Sequence, residues 1–324
     1  MSHENAPPSS TRRRALFTLA ALGASALAPN AVRADDAGKT LRIGYQKYGN
    51  LVVLRARGTL EKRLGPQGVT VQWLEFPAGP QLLEGLNAGA VDIGTVGETP
   101  PIFAQAAGVD FVYVGSEPPA PRAEAIVVPK DSNIRSVAQL RGKKIALNKG
   151  SNVHYLFVEA LKKAGLSYAD VQPVYLAPAD ARAAFVQGSV DAWVIWDPYL
   201  AAIERQANAR QLVDGTGLVR NIQYYVATRK FAAGQPQIVR AVLEELDHVD
   251  RWARDNVPAV AAQLSPLVGL DTATIEHALQ RTAYGIEAIS PATLAYQQQI
   301  ADTFTNLRLI PKKLDVTEAR WNVA

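Results

Sequence analysis

The sequence predicts an α/β fold with two Rossmann-like lobes joined by two crossover segments. Apolar strand patterns alternate with amphipathic helix patterns from Leu41 onward, which is typical of sheets whose strands are connected by helices. The same order of strand, helix and strand occurs again 99 residues later. A proline-rich segment at 118–121 interrupts the chain between these two halves. We therefore expect the chain to cross from one lobe to the other and back.

The first half begins with a buried strand pattern at 41–46. An apolar helical pattern at 51–64 follows and ends before a Gly-Pro pair at 65–66, where helices commonly stop. A strand pattern at 69–76 and an amphipathic helix pattern at 81–86 come next. These segments have the lengths and order of a β-α-β unit.

The turn after the next strand contains Gly97, Glu98 and Thr99, followed directly by Pro100 and Pro101. Proline suits the first helical position, so a helix is predicted to begin there. The start of a helix carries roughly half a positive charge and has unpaired N–H groups, which accept an anionic oxygen without a basic side chain. Taken alone, this turn is explained more simply by a capped crossover helix with no ligand.

The second half repeats the arrangement of the first. Residues 188–191 read G-S-V-D where residues 89–92 read G-A-V-D, and each follows a helix pattern preceded by a strand pattern. At the same offset, 196–198 corresponds to the turn at 97–99 and again leads into a helix at a proline. We interpret the two halves as one unit used twice.

The expected lobe boundaries follow from these patterns. Tyr224 to Thr228 is predicted to be the return crossing, followed by helices that extend to Ala301. Lobe I is predicted to comprise residues 35–122 and 229–324, and lobe II residues 123–228.

Residues 1–34 have the pattern of an export signal. Three arginines at 12–14 precede an Ala/Leu-rich run at 15–28, and small residues around 32–34 fit a cleavage site. The arginines favour the twin-arginine route, and the order Ala15-Leu16-Phe17 leaves the general secretory route open. The mature chain is then expected to begin near Asp35.

Composition excludes several classes of function. Without residues 1–34 the chain has 30 basic and 29 acidic residues, so its charge gives no reason to expect nucleic acid. The chain has no cysteine, which excludes thiolate nucleophiles and thiolate metal sites. It has no Walker loop, nucleophile-elbow motif or dinucleotide fingerprint. The sequence therefore predicts no metal, no cofactor and no enzymatic activity. The four histidines lack metal-ligand spacing: His3, His154, His248 and His277.

Ligands of open α/β sheets bind beyond the carboxyl ends of the strands. Two facing lobes would bring Gln46, the turn at 97–99, the turn at 150–152 and the Trp196-Asp197 pair into one cleft. The turn at 150–152 follows a strand and precedes a helix pattern at 153–164, so it supplies a second positive helix end. Two such ends suit a small anion.

Several segments resemble the periplasmic aliphatic sulfonate-binding proteins of bacterial ABC importers, a likeness that covers nearly all of the mature chain. The segments are 41–47 (LRIGYQK), 76–83 (FPAGPQLL), 97–108, 178–185 (PADARAAF) and 190–199 (VDAWVIWDPY). The family is related to taurine-, nitrate- and thiamine-precursor-binding proteins. The resemblance implies a periplasmic binding protein of type II. It further implies a soluble periplasmic monomer that delivers a sulfonate to an ABC permease at the inner membrane for use as sulfur.

A sulfonate is a monoanion with three oxygens, so several neutral donors suit it. Two or three charge-assisted hydrogen bonds, at about 1.5–3 kcal/mol each, together with buried methylenes would reach micromolar affinity, about 8 kcal/mol. Trp196 is expected to pack against the organic tail. The residues expected at the head group are Gln46, Gly97, Thr99, Ser151 and Asn152.

Five positions have alternative interpretations. Glu98 either caps a helix with its side chain turned away or meets the amine of a zwitterionic sulfonate. Asp197 either caps a helix or contacts ligand, and Trp196 lies in the pocket wall or in the hinge. Tyr224 and Tyr225 are neighbours on one strand, so only one of them faces the cleft; Tyr225 is included in the predicted site.

Other functions fit the same fold. A taurine or sulfate-ester binding protein and an exported sensor would use the same lobes, whereas an exported enzyme would need a base or nucleophile that the sequence does not offer. Related sulfur-metabolising hydrolases use a cysteine, which this chain lacks. Nitrate has no organic tail to bury, so an apolar tail pocket argues against nitrate as the ligand.

Overall fold

The structure is a computed structural model that describes residues 39–322. It contains two five-stranded sheets with helices packed on them. The predicted export signal and its cleavage region lie outside the described residues. The strands are β1 (Lys39–Tyr45), β2 (Val69–Glu75), β3 (Ile93–Gly97), β4 (Phe111–Ser116), β5 (Glu124–Val128), β6 (Lys144–Leu147), β7 (Gln172–Tyr175), β8 (Ala192–Trp196), β9 (Arg210–Asp214) and β10 (Gln223–Thr228). The helices are α1 (Asn50–Arg57), α2 (Thr59–Leu64), α3 (Gly79–Asn87), α4 (Pro100–Ala106), α5 (Asn152–Lys163), α6 (Pro178–Val186), α7 (Tyr199–Ala207), α8 (Arg229–Gly234), α9 (Pro236–Asp255), α10 (Val257–Val268), α11 (Thr272–Leu279) and α12 (Pro291–Asn306).

The two sheets have matching topologies. The first has the strand order β2-β1-β3-β10-β4 and the second has the order β7-β6-β8-β5-β9. In each sheet two neighbouring pairs are parallel, and the fourth strand runs antiparallel to its neighbours. The antiparallel strand follows a crossing in both cases: β5 after residues 117–123 and β10 after residues 215–222. The prediction of two α/β lobes joined by two crossings is confirmed.

The return strand β10 lies in the first sheet, where it pairs with β3 from Gln223 opposite Gly97 and also with β4. The expected partition placed this strand in lobe II, because it ended that lobe at Thr228, and this part of the prediction is wrong. An apolar pattern shows that a strand is buried, but it does not show which sheet accepts it. The other lobe boundaries stay a prediction.

The helix expected at 51–64 is divided into α1 and α2. Gly58 separates them with φ 59° and ψ 25°, a left-handed conformation that ends the first helix. The predicted helix starts at Pro100 and after Ser151 are confirmed. Among residues 39–322 no helix is both long and apolar enough to cross a bilayer.

One hydrophobic core belongs to the first sheet and its outer helices, while a second is shared by both lobes. The shared core joins Leu82 and Val96 of the first lobe to Trp193 and Ile195 of the second. Helix α12 contributes Phe304 to this core. Because one continuous core contains side chains from both sheets, the lobes are in contact across the cleft.

Candidate functional site

The turn after β3 and the start of α5 meet where the two lobes face each other. A Cβ built on Gly97 would lie 2.8 Å from Cβ of Asn152, so glycine is the residue that leaves room for this approach. The amide of Asn152 donates from Nδ2 to Oε2 of Glu124 at 2.5 Å and to Oδ1 of Asn221 at 3.0 Å. The two predicted helix ends therefore converge on one point.

Two of the predicted neutral donors, Gln46 and Thr99, are also buried there. The Gln46 amide donates from Nε2 to the carbonyl of Thr95 at 3.2 Å. Thr99 precedes α4, and its Oγ1 has no hydrogen-bond partner among residues 39–322. Because Pro100 and Pro101 have no N–H, the backbone donors at this end come from the preceding turn. The Thr99 hydroxyl is therefore an unpaired side-chain donor beside this helix start.

The hydroxyl of Ser151 is already used within its own turn. Its Oγ donates to the carbonyl of Asn148 at 2.8 Å, and the residue is almost completely buried at the start of α5. Its hydrogen is therefore committed to the backbone, while its lone pairs stay available. Sequence pattern places Ser151 correctly at the helix start but does not show where its proton points.

Glu98 is fully buried and turned toward the second crossing and α12. Its Oε2 accepts from the N–H of Ile222 at 2.9 Å, and its Oε1 accepts from the hydroxyl of Tyr296 at 3.2 Å. Burial raises the pKa of Glu98 to about 7, against the lowering effect of these hydrogen bonds. Both oxygens are engaged by the chain, which matches the interpretation of a side chain turned away from ligand rather than of an amine partner.

Asp197 caps a helix and forms a buried ion pair. Its Oδ1 accepts from the N–H of Ala201 at 3.0 Å in α7. Arg281, which follows α11, donates to both of its oxygens at 2.8 Å and to Glu204 at 3.0 Å. Because α7 packs on the second sheet and α11 on the helices of the first, this cluster links the two lobes. We refer to Arg281, Asp197 and Glu204 as the latch.

Trp196 and Tyr225 are both buried, but in different surroundings. Trp196 ends β8, is 3% exposed and packs edge-on against Tyr199 with ring centroids 6.1 Å apart. Tyr225 lies in the core of the first lobe, where its hydroxyl donates to Oε1 of Glu117 at 2.6 Å. Its neighbour Tyr224 faces the core shared by both lobes. The alternation expected along this strand is present, and it places Tyr224 rather than Tyr225 on the shared side.

Sequence patterns did not single out Tyr48, Glu124 or Arg281. Tyr48 lies between the lobes, close enough to Glu117, Glu124 and Asp197 that their charges raise the pKa of its phenol further above the normal value, beyond the effect of burial. These residues come from loops and strand starts with no periodic pattern. The signal that could have suggested Glu124 is its place directly after the proline-rich crossing, where the chain enters the second lobe.

A small cavity of about 30 Å³ lies beside Tyr48 and Asp197. Its lining includes Tyr48, Gly49, Asp197, Pro198 and Leu279. Binding sites for small organic molecules are usually about 300–1,000 Å³, so the cavity is too small for an organic tail. Because Gly97 already lies against Asn152, a ligand can enter between them only if the lobes separate. No group of three or more potential metal ligands is present in residues 39–322.

The family model and the similar proteins agree on the family of this chain. A family model described as NMT1/THI5 like matches residues 66–254. A protein of Escherichia coli K12 named for binding aliphatic sulfonates is 44% identical over 310 residues, which covers 95% of this chain and 97% of the relative.

Two solved structures are similar over most of the chain. The alkanesulfonate-binding protein SsuA from Xanthomonas axonopodis pv. citri, bound to MOPS, is 42% identical with a TM-score of 0.84, covering 88% of this chain and 98% of that one. The periplasmic aliphatic sulphonate binding protein SsuA from Escherichia coli is 45% identical with a TM-score of 0.81, covering 88% and 93%. The chain belongs to the NMT1/THI5-like family and, within it, to the periplasmic aliphatic sulfonate-binding proteins.

Proposed function

We propose that this protein captures an alkanesulfonate between its two lobes and presents it to an ABC permease at the inner membrane as a source of sulfur. The observation that carries the proposal is the contact between Gly97 of one lobe and Asn152 of the other, with the buried Thr99 two residues after Gly97. The relatives named above for sulfonate binding support the ligand class.

The chemistry of this convergence suits a monoanion with several oxygens. The groups available are the second N–H of the Gln46 amide, the Thr99 hydroxyl and the positive end of α5, whereas the Asn152 amide already donates to Glu124 and Asn221. Neutral donors of this kind stabilise a negative charge without a cationic partner. A dianion such as sulfate would gain less here, because the buried carboxyl groups of Glu98 and Glu124 lie close by. A single negative charge spread over three oxygens therefore fits best.

The Thr99 hydroxyl adds an independent argument. A buried polar group without a partner is unfavourable by about 1–3 kcal/mol. Its Oγ1 is buried and unpaired among the described residues, two positions after the Gly97 contact with Asn152. A sulfonate oxygen that accepts a hydrogen bond from Thr99 would remove this cost. Ligand binding would therefore stabilise the closed cleft.

The cellular setting is part of the same proposal. We infer that the protein is exported and acts as a soluble monomer in the periplasm, without enzymatic activity and without nucleic acid as a partner. The pattern of residues 1–34 and the family support this setting. Incubation with an alkanesulfonate followed by product analysis tests for turnover, and formation of a sulfite or aldehyde product would contradict the binding role. A transporter permease gene beside this one favours transport over sensing.

Titration calorimetry tests the ligand directly. We expect an alkanesulfonate to bind more tightly than taurine, sulfate or nitrate. We expect Asn152→Ala to weaken sulfonate binding about tenfold or more, because it removes the amide that holds Glu124 and Asn221 and leaves the buried Glu124 carboxyl group without its partner. Lys162→Ala, at the exposed far end of α5, is the matched control and should bind as the unaltered protein does. Stronger binding of sulfate, or full affinity in Asn152→Ala, would contradict the proposal.

A further inference from the structure

Glu124 is a fully buried carboxyl group at the junction of the lobes. It is the first residue of β5, immediately after the first crossing. Its Oε2 accepts from Nδ2 of Asn152 at 2.5 Å, whereas its Oε1 has no hydrogen-bond partner among residues 39–322. One half of this carboxyl group is thus fixed against the proposed head-group site, and the other half is available.

The surroundings of Glu124 disfavour a negative charge. The titratable groups that face it are the carboxyl group of Glu98, from the turn after β3, and the phenol of Tyr48, from the segment after β1. The start of α5 and the second crossing contribute the neutral amides of Asn152 and Asn221. None of these groups is cationic. Arg220 acts on Glu98 instead.

Burial and the neighbouring Glu98 both raise the pKa of Glu124 well above its ordinary value, against the lowering effect of the Asn152 amide. A neutral carboxylic acid has one O–H donor. An ionised carboxylate at the same place would repel an anion. The protonation state of Glu124 therefore changes how strongly the cleft attracts or repels a sulfonate.

We propose that Glu124 is a further specificity-determining residue, which as a neutral acid donates a hydrogen bond from Oε1 to an oxygen of the sulfonate beside Asn152. The inference rests on the proposed function and adds that Glu124 must be protonated for tight binding of the sulfonate. A sulfonate does not change charge between pH 5 and 10, so a change in its affinity reports on the protein. Affinity is constant while Glu124 is protonated and falls as the pH rises through its pKa, approaching about tenfold per pH unit where ionisation is complete.

The experiment measures the affinity for butanesulfonate by titration calorimetry at intervals from pH 5 to pH 10. The buffers must contain no sulfonate. The proteins are the unaltered chain, Glu124→Gln, and Glu98→Gln as the matched control, because Glu98 is the other buried carboxyl group nearby. Glutamine retains a donor at the Oε1 position and cannot ionise. We expect Glu124→Gln to bind at every pH without the tenfold-per-unit decline. We expect Glu98→Gln to keep that decline but with its onset at lower pH, because the charge of Glu98 no longer raises the pKa of Glu124.

Different outcomes contradict the proposed function and the role of Glu124. If the unaltered protein binds no butanesulfonate at any pH, the proposed function is wrong. If it binds and Glu124→Gln retains the decline with pH, or if the unaltered protein shows no decline up to pH 10, the inference about Glu124 is wrong.

If Glu124→Gln does not fold, a second measurement on the unaltered protein tests the inference. The heat of binding to the unaltered protein in two buffers with different ionisation enthalpies gives the protons exchanged. We expect uptake of protons that approaches one per sulfonate at the alkaline end. No exchange there would overturn the inference.

Discussion

Replacing Gly97 with alanine places a methyl group where the two lobes meet. The added Cβ would lie 2.8 Å from Cβ and 3.0 Å from Cγ of Asn152, well inside the 3.4 Å at which ordinary contact begins. Both partners are held by regular structure, Gly97 at the end of β3 and Asn152 in the first turn of α5. The closed arrangement can therefore accept the methyl group only if one lobe moves away from the other.

The expected size of the effect follows from this contact. Overpacking costs about 1–3 kcal/mol, and a free energy of that size changes a binding constant about 5- to 150-fold. The overpacking destabilises only the closed state, because Asn152 belongs to the opposite lobe and separation of the lobes moves it away from β3. We expect Gly97→Ala to weaken sulfonate binding by this factor with a smaller change in the Tm of the ligand-free protein.

The assay combines titration calorimetry with thermal unfolding, and Gly85→Ala is the matched control. A Cβ on Gly85 would lie 2.7 Å from Cζ of Phe76, a contact within the first lobe that the half-buried ring can relieve by moving aside. Gly85→Ala should therefore leave the affinity nearly unchanged. Equal affinity in Gly97→Ala and the unaltered protein would refute the reasoning, since it would mean that β3 and α5 do not approach in the liganded state.

Two further variants test the latch and the packing of α12. Arg281→Met leaves Asp197 buried without its partner, and because breaking a buried pair costs about 3–5 kcal/mol, both the Tm and the sulfonate affinity should fall; unchanged affinity would show that the latch does not hold the lobes together. Ser290→Ala removes the cap that accepts from the N–H of Thr293 at 3.1 Å, a loss of about 1 kcal/mol, so calorimetric unfolding should show a Tm lower by about 2–4 °C. A Tm equal to that of the unaltered protein would show that this cap contributes no stability.

The parts of the site that depend on neighbours in sequence could be predicted. Proline at 100 and the polar turn at 150–152 locate two helix starts because capping involves residues only a few positions apart. The alternative that Asp197 is a helix cap also follows from local chemistry, and its bond to Ala201 agrees with it.

Contacts between distant residues could not be predicted in this way. Arg281 reaches Asp197 across 84 positions, and Tyr296 reaches Glu98 across 198. A local pattern does not contain the lobe packing that brings such pairs together. The same limit explains β10, whose apolar sequence predicts a buried strand but does not specify its sheet.

The most direct test of the central claim is a crystal structure of the protein with butanesulfonate. Two lobes that close on one anion should place its sulfonate oxygens within hydrogen-bond distance of Thr99 from the first lobe and Asn152 from the second. The tail should then lie toward Trp196. A ligand that contacts a single lobe, or one bound away from the convergence of β3 and α5, would contradict the account.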